Sequence, residues 1–116
     1  MTPETYAAFR TACGYDPELD VSVASDDGRI VAYAMAWADA ESGTGQLEPV
    51  GTRPRFWRRG LGRVANCEAI RRMRERNLKT AAVCTYAGHA PNIAFYESCG
   101  FERITTIDRW TRIVPG

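Results

Sequence analysis

Two glycines and three arginines share the short segment Arg58–Arg63 (RRGLGR), which is predicted to lie between a strand and a helix. Glycine lets the backbone turn tightly, and the first amides of a helix have no intrahelical acceptor. The helix dipole favours an anion at that end, and arginine side chains donate to phosphate oxygens in pairs. The segment therefore predicts a pyrophosphate site. An ordinary strand–helix turn is the alternative interpretation of the same residues.

Two familiar nucleotide-binding motifs do not fit this segment. The dinucleotide fingerprint needs a third glycine after GxG, and that glycine is missing here. A Walker loop needs Gly-Lys-Ser or Gly-Lys-Thr, which is also missing. The anion-binding prediction therefore depends on the local chemistry of the loop and on its position before a helix.

Charge is unevenly distributed along a chain whose net charge is only +1. Residues 53–79 hold ten Arg or Lys and two Glu, whereas residues 1–48 hold two Arg and nine Asp or Glu. A positive centre beside an acidic front suits an enzyme with an anionic cofactor and a cationic substrate. The alternative for Arg71, Arg72, Arg74 and Arg76 is a solvated helix face. The basic run has few interleaved aromatic residues, which argues against a nucleic-acid-binding domain.

The elements that position the loop follow from hydrophobic periodicity and from turn residues. The predicted order is helix (Thr2 to about Ala12), strand (Leu19–Ala24), turn (Asp26–Gly28), strand (Ile30–Ala38), loop (Ala40–Gly45), strand (Gln46–Thr52), helix (Gly60–Asn77), strand (Thr80–Thr85), loop (Gly88–Pro91), helix (Asn92–Cys99) and one or two strands (Phe101–Ile113). The fold class is α+β: a mixed, mostly antiparallel sheet with one parallel strand–helix–strand crossover and helices packed on it. A chain of 116 residues suits a single domain, residues 1–116.

The four cysteines show no metal-ligand spacing, and His89 is the single histidine, so no metal site is predicted. Three of the cysteines lie in apolar-looking segments, where cysteine acts as a small hydrophobe. We expect reduced thiols and a cytoplasmic location. No signal peptide or membrane span is evident in the sequence.

Two motifs resemble those of the GNAT N-acetyltransferases. Val50–Pro54 followed by Arg58–Arg63 resembles motif A of that family, and Asn92–Phe101 (NIAFYESCGF) resembles motif B. The motifs stand in the family's order and at its spacing, and the resemblance covers about residues 17 to 110. It implies a GNAT-like acyl-CoA acyltransferase fold and an enzyme that transfers an acetyl group from acetyl-CoA to an amine.

The resemblance also implies the residues that contact acetyl-CoA. The pantetheine arm would pair with the backbone of Val50 and Thr52 as an added strand does, and Gly51 could host the bulge that opens the sheet. Asn92 and Tyr96 are further candidates. The pyrophosphate contacts map onto Arg58, Arg59, Gly60, Leu61, Gly62 and Arg63.

Three steps of acetyl transfer need protein groups. The amine must lose a proton, and Glu48 is the candidate base because it lies two residues before Val50, on the same predicted strand face. Backbone N–H groups around Val50 can polarise the thioester carbonyl. The resemblance makes Tyr96 the acid that protonates the departing thiolate. The alternatives are a solvent-facing or ion-paired Glu48 and a Tyr96 that only packs. The tryptophans Trp37, Trp57 and Trp110 are predicted to be core or rim residues.

Three departures from the family pattern matter. Trp57 stands where the motif often has Gln or Arg, and His89 stands where motif B usually has Asn. That Asn helps to place the loop over the cofactor, so Asn92 could substitute, and His89 could instead be a base. A full GNAT domain has about one more strand and helix in front of the region matched here. The missing part helps to form the acceptor site and one sheet edge, and an exposed edge makes a homodimer plausible.

Two functions therefore compete. The first is an acetyl-CoA-dependent N-acetyltransferase that acts on a small-molecule or peptide amine in a ternary complex. The second is a non-catalytic acyl-CoA-binding module, or one part of a larger GNAT protein. Neither needs a metal, a nucleic acid or a membrane as a partner.

Overall fold

The computed structural model describes residues 1–116 and divides them into two compact units, Met1–Cys84 and Thr85–Gly116. The elements of the first unit are α1 (Pro3–Arg10), β1 (Asp20–Ala24), β2 (Ile30–Asp39), β3 (Thr44–Thr52), α2 (Leu61–Glu75) and β4 (Thr80–Val83). Short 3-10 helices cover Pro17–Leu19 and Pro54–Phe56. The second unit contains α3 (Ala90–Ser98). No helix is both long and apolar enough to cross a membrane.

The four strands form one sheet in the order β1-β2-β3-β4. β1 with β2 and β2 with β3 are antiparallel, and β3 with β4 is parallel. A parallel pair needs a long crossover, which α2 supplies. The predicted α+β class, with a mixed and mostly antiparallel sheet and one strand–helix–strand crossover, is therefore confirmed.

Helix α2 packs on one face of this sheet through small side chains. Ala65 and Ala69 are fully buried, and Met73 is 2% exposed. A side chain at Gly45 would place its Cβ 2.9 Å from the Met73 sulfur, so a larger residue at this point of β3 would require the Met73 side chain to move. Buried Leu47 completes this side of the core.

A β-bulge interrupts β3 at Glu48 and Pro49. Leu47 pairs with Ala36 and Val50 pairs with Ala34, so β3 has two residues where β2 has one. Proline is tolerated at a bulge because it has no N–H to donate to the ladder. The sequence had placed the bulge at Gly51, and that prediction is wrong. Gly51 is required for another reason, since a Cβ there would lie 2.6 Å from the Tyr33 hydroxyl oxygen.

The bulge also changes which residues share a face. Side chains alternate along a strand, so one extra residue moves the following side chains to the other face. By the pairing register, Val50 lies on the α2 side together with Ala34, Ala36 and Leu47. The prediction that Glu48 shares a face with Val50 is therefore wrong, because Glu48 lines a pocket with Gln46 on the other side.

Several helix and strand ends differ from the prediction by one or two residues. Thr2 caps α1 as predicted, by accepting from the Thr5 amide, but the helix ends at Arg10 rather than Ala12. Leu19 belongs to a 3-10 turn capped by Asp16 and not to β1. β3 begins two residues early, at Thr44, because it pairs with Asp39 at the end of β2.

The predicted final strands at Phe101–Ile113 are wrong. Residues 101–116 contain no helix or strand, and their large apolar side chains are exposed, with Ile104 91% and Trp110 89% accessible. β-branched and aromatic residues favour strands only where a partner strand and a packed face exist. Cysteine placement also differs from the prediction. Cys13, Cys67 and Cys84 are exposed, and Cys99 alone is partly buried, so at most one of them acts as a small core hydrophobe.

Candidate functional site

The predicted anion loop lies at the start of α2. Gly60 is the N-cap, has a φ of 77°, and makes no side-chain capping hydrogen bond. The first helical bond runs from the Val64 amide to the Gly60 carbonyl at 3.0 Å, and the Leu61 and Gly62 amides before it donate to no protein group. A helix start with unused amides and no capping side chain is a backbone site for an anion.

Neighbouring residues hold this loop in a strained shape. Arg58 has a φ of 63°, a left-handed conformation that costs a non-glycine residue about 1 kcal/mol or more. Trp57 donates from Nε1 to the Thr52 carbonyl at 2.8 Å. The Arg59 guanidinium lies over the Phe56 ring, 5.2 Å from its centre. These contacts keep the main chain folded back on the end of β3, with Arg58 and Arg59 exposed.

Asn66 ties the second glycine of the loop to the core. It is completely buried, and its Nδ2 donates to the Gly62 carbonyl at 3.0 Å. The Asn66 Oδ1 is also buried and has no hydrogen-bond partner. An unsatisfied buried oxygen costs about 1–3 kcal/mol, so this side chain is retained at a cost to stability. No sequence signal pointed to it, because a polar residue in the predicted helix was expected on its exposed face.

The two parallel strands separate beside the loop. β3 pairs with β4 only from Thr44 to Leu47, and no ladder pairs β3 with a later residue on that side. Val50 and Thr52, the predicted cofactor contacts, lie beyond this last pair and are bound to β2 through Ala34 and Ala32. On the side that faces β4, Val50 and Thr52 therefore have no strand partner. The Thr52 carbonyl is already engaged by Trp57, so it is less available than the resemblance implied.

Glu48 lies at the bulge and is exposed. Its carboxylate makes no ion pair, and its one hydrogen bond is a long one, 3.5 Å, accepted from Gln46 Nε2. The Trp37 Nε1 donates to the Glu48 carbonyl at 2.6 Å. Together with Phe9, these residues line a pocket of about 360 Å³. Glu48 is therefore a free carboxylate in a cleft, which suits a base better than an ion-pair partner.

The second unit holds Tyr96 on α3. Its ring packs edge-on against Phe95 and Phe101, with ring centres 5.2 and 5.7 Å away. Burial raises the pKa of the Tyr96 hydroxyl, and the nearby Cys99 adds to the rise. The hydroxyl donates to no protein group. A phenol that stays protonated at neutral pH and has a free O–H can act as an acid.

His89 has a structural role in the same unit. It is the N-cap of α3, and its Nδ1 accepts from the Asn92 amide at 3.2 Å. An asparagine oxygen commonly makes this kind of capping bond, so His89 does the work that the family's Asn would do at a helix start. The Asn92 side chain donates to the Thr85 hydroxyl at 3.3 Å. The capping bond therefore gives His89 a structural role that does not require it to act as a base.

The site residues are therefore divided between the two units. The loop, Glu48, Val50 and Thr52 belong to the first unit, and Asn92 and Tyr96 belong to the second. Sequence reasoning missed Phe9 and took Trp37 as a core or rim residue. No feature of the α1 sequence indicates that Phe9 lines a pocket. The pairing of Trp37 with Gln46 in the hairpin could have indicated that Trp37 lies on the same sheet face as Glu48.

Comparison with known proteins gives a consistent result. Residues 2–101 match the model of the Acetyltransferase (GNAT) family. A mycothiol acetyltransferase from Streptomyces bingchenggensis is 32% identical over 92 residues, which cover 79% of this chain and 30% of that protein. The [ribosomal protein bS18]-alanine N-acetyltransferase of Salmonella typhimurium is 33% identical over 87 residues, 75% of this chain and 57% of that protein. The chain thus spans less than two thirds of the length of both relatives.

Solved structures share the fold. A putative acetyltransferase from Agrobacterium tumefaciens superimposes with a TM-score of 0.74 at 24% identity, covering 94% of this chain and 76% of the other. The aminoglycoside N-acetyltransferase AAC(6')-Iy, solved in complex with CoA, gives a TM-score of 0.76 at 16% identity, covering 96% of this chain and 85% of the other. At these identities the likeness concerns the fold.

Proposed function

Because the chain belongs to the GNAT family of acetyltransferases, we propose that it transfers an acetyl group from acetyl-CoA to an amine by direct attack in a ternary complex. The observation that carries the proposal is the start of α2, where an uncapped left-handed glycine precedes two unused amides. That arrangement suits a pyrophosphate. The two sequence relatives are acetyltransferases, one for mycothiol and one for an alanine of a ribosomal protein.

Different parts of coenzyme A would contact different parts of the first unit. Arg58, Arg59 and the Gly60–Arg63 turn would hold the pyrophosphate, since exposed guanidinium groups and free amides both favour phosphate oxygens. The pantetheine arm would lie along β3 beyond Leu47, where β4 no longer pairs. Acetyl-CoA supplies the activated acetyl group as a thioester, and the remaining chemistry falls to side chains and amides of the protein.

The proton balance of the reaction needs a base and an acid. Glu48 accepts a proton from the substrate ammonium, directly or through a water molecule, because its carboxylate is exposed and lacks a cationic partner. The main chain near Val50 polarises the thioester carbonyl by donating to its oxygen. Tyr96 donates a proton to the leaving sulfur, which its raised pKa allows across the neutral range.

The test begins with cofactor binding. Acetyl-CoA is titrated by calorimetry into the wild-type protein and into Gly60→Glu, which places a carboxylate where phosphate is expected. Gly28→Glu is the matched control, because Gly28 also has a positive φ, 84° against 77° at Gly60, and both have open space around the missing side chain. We expect Gly60→Glu to lose binding and Gly28→Glu to keep it.

The outcomes separate the candidate functions. Normal binding by Gly60→Glu would show that the loop does not hold the pyrophosphate. Thiol release is then followed for the wild-type protein over a panel of amines. Cofactor binding without release on any amine would favour a non-catalytic acyl-CoA-binding module, or a part of a larger enzyme.

A further inference from the structure

The pocket beside Glu48 has a composition that selects among amines. It has a volume of about 360 Å³ and is lined by Phe9, Trp37, Gln46 and Glu48. This volume is in the range of small-molecule sites. By the strand register, Trp37 and Gln46 are cross-strand partners, so the pocket lies on the sheet face opposite α2. All four residues belong to the first unit.

Aromatic rings form one wall of the pocket and hold each other in place. The Phe9 and Trp37 rings meet edge to face, with centres 6.1 Å apart and planes at 67°. Tyr15 supports Trp37 with a second edge-to-face contact at 6.3 Å. The Trp37 Nε1 donates to the Glu48 carbonyl, so one hydrogen bond fixes both the indole ring and the backbone that carries the carboxylate. The wall is therefore built before any ligand arrives.

The pocket carries a single negative charge. Glu48 is its one ionisable residue, and no lysine or arginine lines it. On the same face of the sheet, one carboxylate oxygen of Asp20 on β1 accepts hydrogen bonds from the hydroxyl groups of both Tyr6 and Tyr15, at 2.7 and 2.5 Å. Asp20 is thus engaged in holding α1 and the Tyr15 ring. Among the residues that line the pocket, one ammonium group finds a free anionic partner and a second does not.

We expect the apolar wall to contribute more to the affinity for an amine than the charge of Glu48 does. An exposed ion pair contributes little because solvent screens it, whereas an aromatic pocket gains from every apolar group that it removes from water. A ligand that uses the whole pocket has one positive charge and an apolar or aromatic body.

We propose that this pocket is the acceptor subsite and that its acceptor is a primary amine with one positive charge on an aromatic or branched apolar body. The proposal rests on the proposed function, since it gives Glu48 an amine to deprotonate. In the reaction the ammonium first gives one proton to Glu48, and the neutral amine nitrogen then forms a bond to the acetyl carbon. The carbon–sulfur bond breaks, the sulfur takes a proton from Tyr96 and leaves as the thiol, and the second proton lost by the nitrogen restores the Tyr96 hydroxyl. Phe9 and Trp37 are specificity-determining residues in this scheme.

The experiment compares three amines, namely phenethylamine, ethylamine and spermidine. Binding of each amine is measured by calorimetry, and acetylation is measured by thiol release with acetyl-CoA present. We expect phenethylamine to bind about tenfold or more tightly than ethylamine, because only phenethylamine can cover the two rings. The additional ammonium groups of spermidine should not increase its affinity for the pocket. Tighter binding of spermidine than of phenethylamine would overturn the proposal.

Two variants and one control test whether Phe9 and Glu48 are responsible for the amine preference. Phe9→Ala should raise the Kd and the KM for phenethylamine about tenfold and leave those for ethylamine unchanged. Glu48→Gln keeps the shape of the pocket, so it should weaken both monoamines and lower kcat. Ile30→Ala removes an exposed apolar side chain at the far end of β2, and should change neither amine. An equal effect of Phe9→Ala on phenethylamine and ethylamine would overturn the proposal.

Failure of the two proposals can be told apart. Amine binding that depends on Phe9, without thiol release, would leave the subsite standing and count against acetyl transfer. Thiol release with no preference between phenethylamine and ethylamine would leave acetyl transfer standing and remove the subsite. Melting temperatures of Phe9→Ala and Glu48→Gln near that of the wild type confirm that a loss of binding is local.

Discussion

At the scale of single residues, the proposed acid Tyr96 and the proposed base Glu48 lie in different environments. Tyr96 lies between Phe95 and Phe101, where burial favours the neutral phenol and raises its pKa. Glu48 is exposed and has no cationic neighbour, so its carboxylate is available to an incoming amine. Burial thus keeps the phenol protonated, and the lack of a cationic partner leaves the carboxylate free.

Replacement of Tyr96 by phenylalanine tests the acid. Tyr96→Phe should lower kcat about 100-fold or more, since a positioned acid contributes that much, and change the KM for acetyl-CoA little. The acid works only while protonated, and its pKa is raised above 10.0, so wild-type kcat should stay high until the pH exceeds 10. Tyr96→Phe should lack this alkaline limb.

Tyr86 supplies the matched control for that substitution. It is another tyrosine of the second unit, its side chain is 76% exposed, and Tyr86→Phe removes a hydroxyl with no role in the scheme. The pH dependence of kcat is measured for all three proteins. Equal activity of Tyr96→Phe and Tyr86→Phe would remove Tyr96 from the mechanism.

At the scale of elements, the end of α2 is held to the turn before β1 by charge. Arg76 pairs with both Asp16 and Glu18, and Arg72 donates to the Glu18 carbonyl at 2.9 Å. Asp16 also accepts from the Glu18 amide and caps the 3-10 turn. Arg72 and Arg76 therefore contribute to the tertiary structure, whereas Arg71 pairs only within α2, as the alternative of a solvated helix face implies.

The Asp16 pair makes stability depend on pH. The hydrogen bond from Arg76 holds the pKa of Asp16 below its usual value of 3.8, and the Glu18 amide adds to this. A lowered pKa stabilises the fold above about pH 4, and that contribution is lost as the pH falls through the folded pKa. Asp16→Asn keeps the cap, so it should lose about 1 kcal/mol or less at neutral pH and change less on acidification.

Thermal unfolding measured from pH 7 down to pH 2 checks this prediction. Asp26→Asn serves as the control because Asp26 is an exposed turn residue with no ion pair. At pH 7 we expect Asp16→Asn to melt below the wild type and Asp26→Asn to melt with it. The curves of wild type and Asp16→Asn should converge at low pH. Parallel curves over the whole range would contradict the role of this carboxylate.

At the scale of the whole molecule, the sheet is open on both sides. β1 and β4 each have one neighbour, so both present backbone groups at an edge. Unprotected edges favour pairing with another chain. We therefore propose that two copies associate through β1, the longer of the two edge strands, with five residues against four in β4.

Sedimentation over a range of concentrations tests the dimer. Ser22→Lys places like charges at the centre of a β1–β1 contact, because Ser22 is exposed in the middle of that strand, and should shift the protein toward monomer. Thr80→Lys puts the same charge on β4 at the other edge and should leave the dimer intact. A wild-type protein that stays monomeric at its highest soluble concentration would contradict the proposal.

Local sequence was enough for most elements and for the anion loop. Thr2 with Pro3 marks the start of α1, Asp26–Gly28 marks the hairpin turn, and Gly60 marks the start of α2, because each feature depends on residues within one turn of it. The strand prediction for residues 101–113 was wrong, because a strand requires a pairing partner and the local sequence does not show whether one is present.

The sequence by itself determined the mixed fold, the glycine turn that starts α2 and the family, because these depend on residue types at short spacing. Only the tertiary structure decided where the bulge in β3 lies, and with it that Glu48 faces Phe9 and Trp37 rather than sharing a face with Val50. One extra residue in a strand reverses the alternation of every side chain after it, and pairing with β2 is what fixes that residue's position. The composition of the proposed amine pocket therefore became visible only in the folded chain.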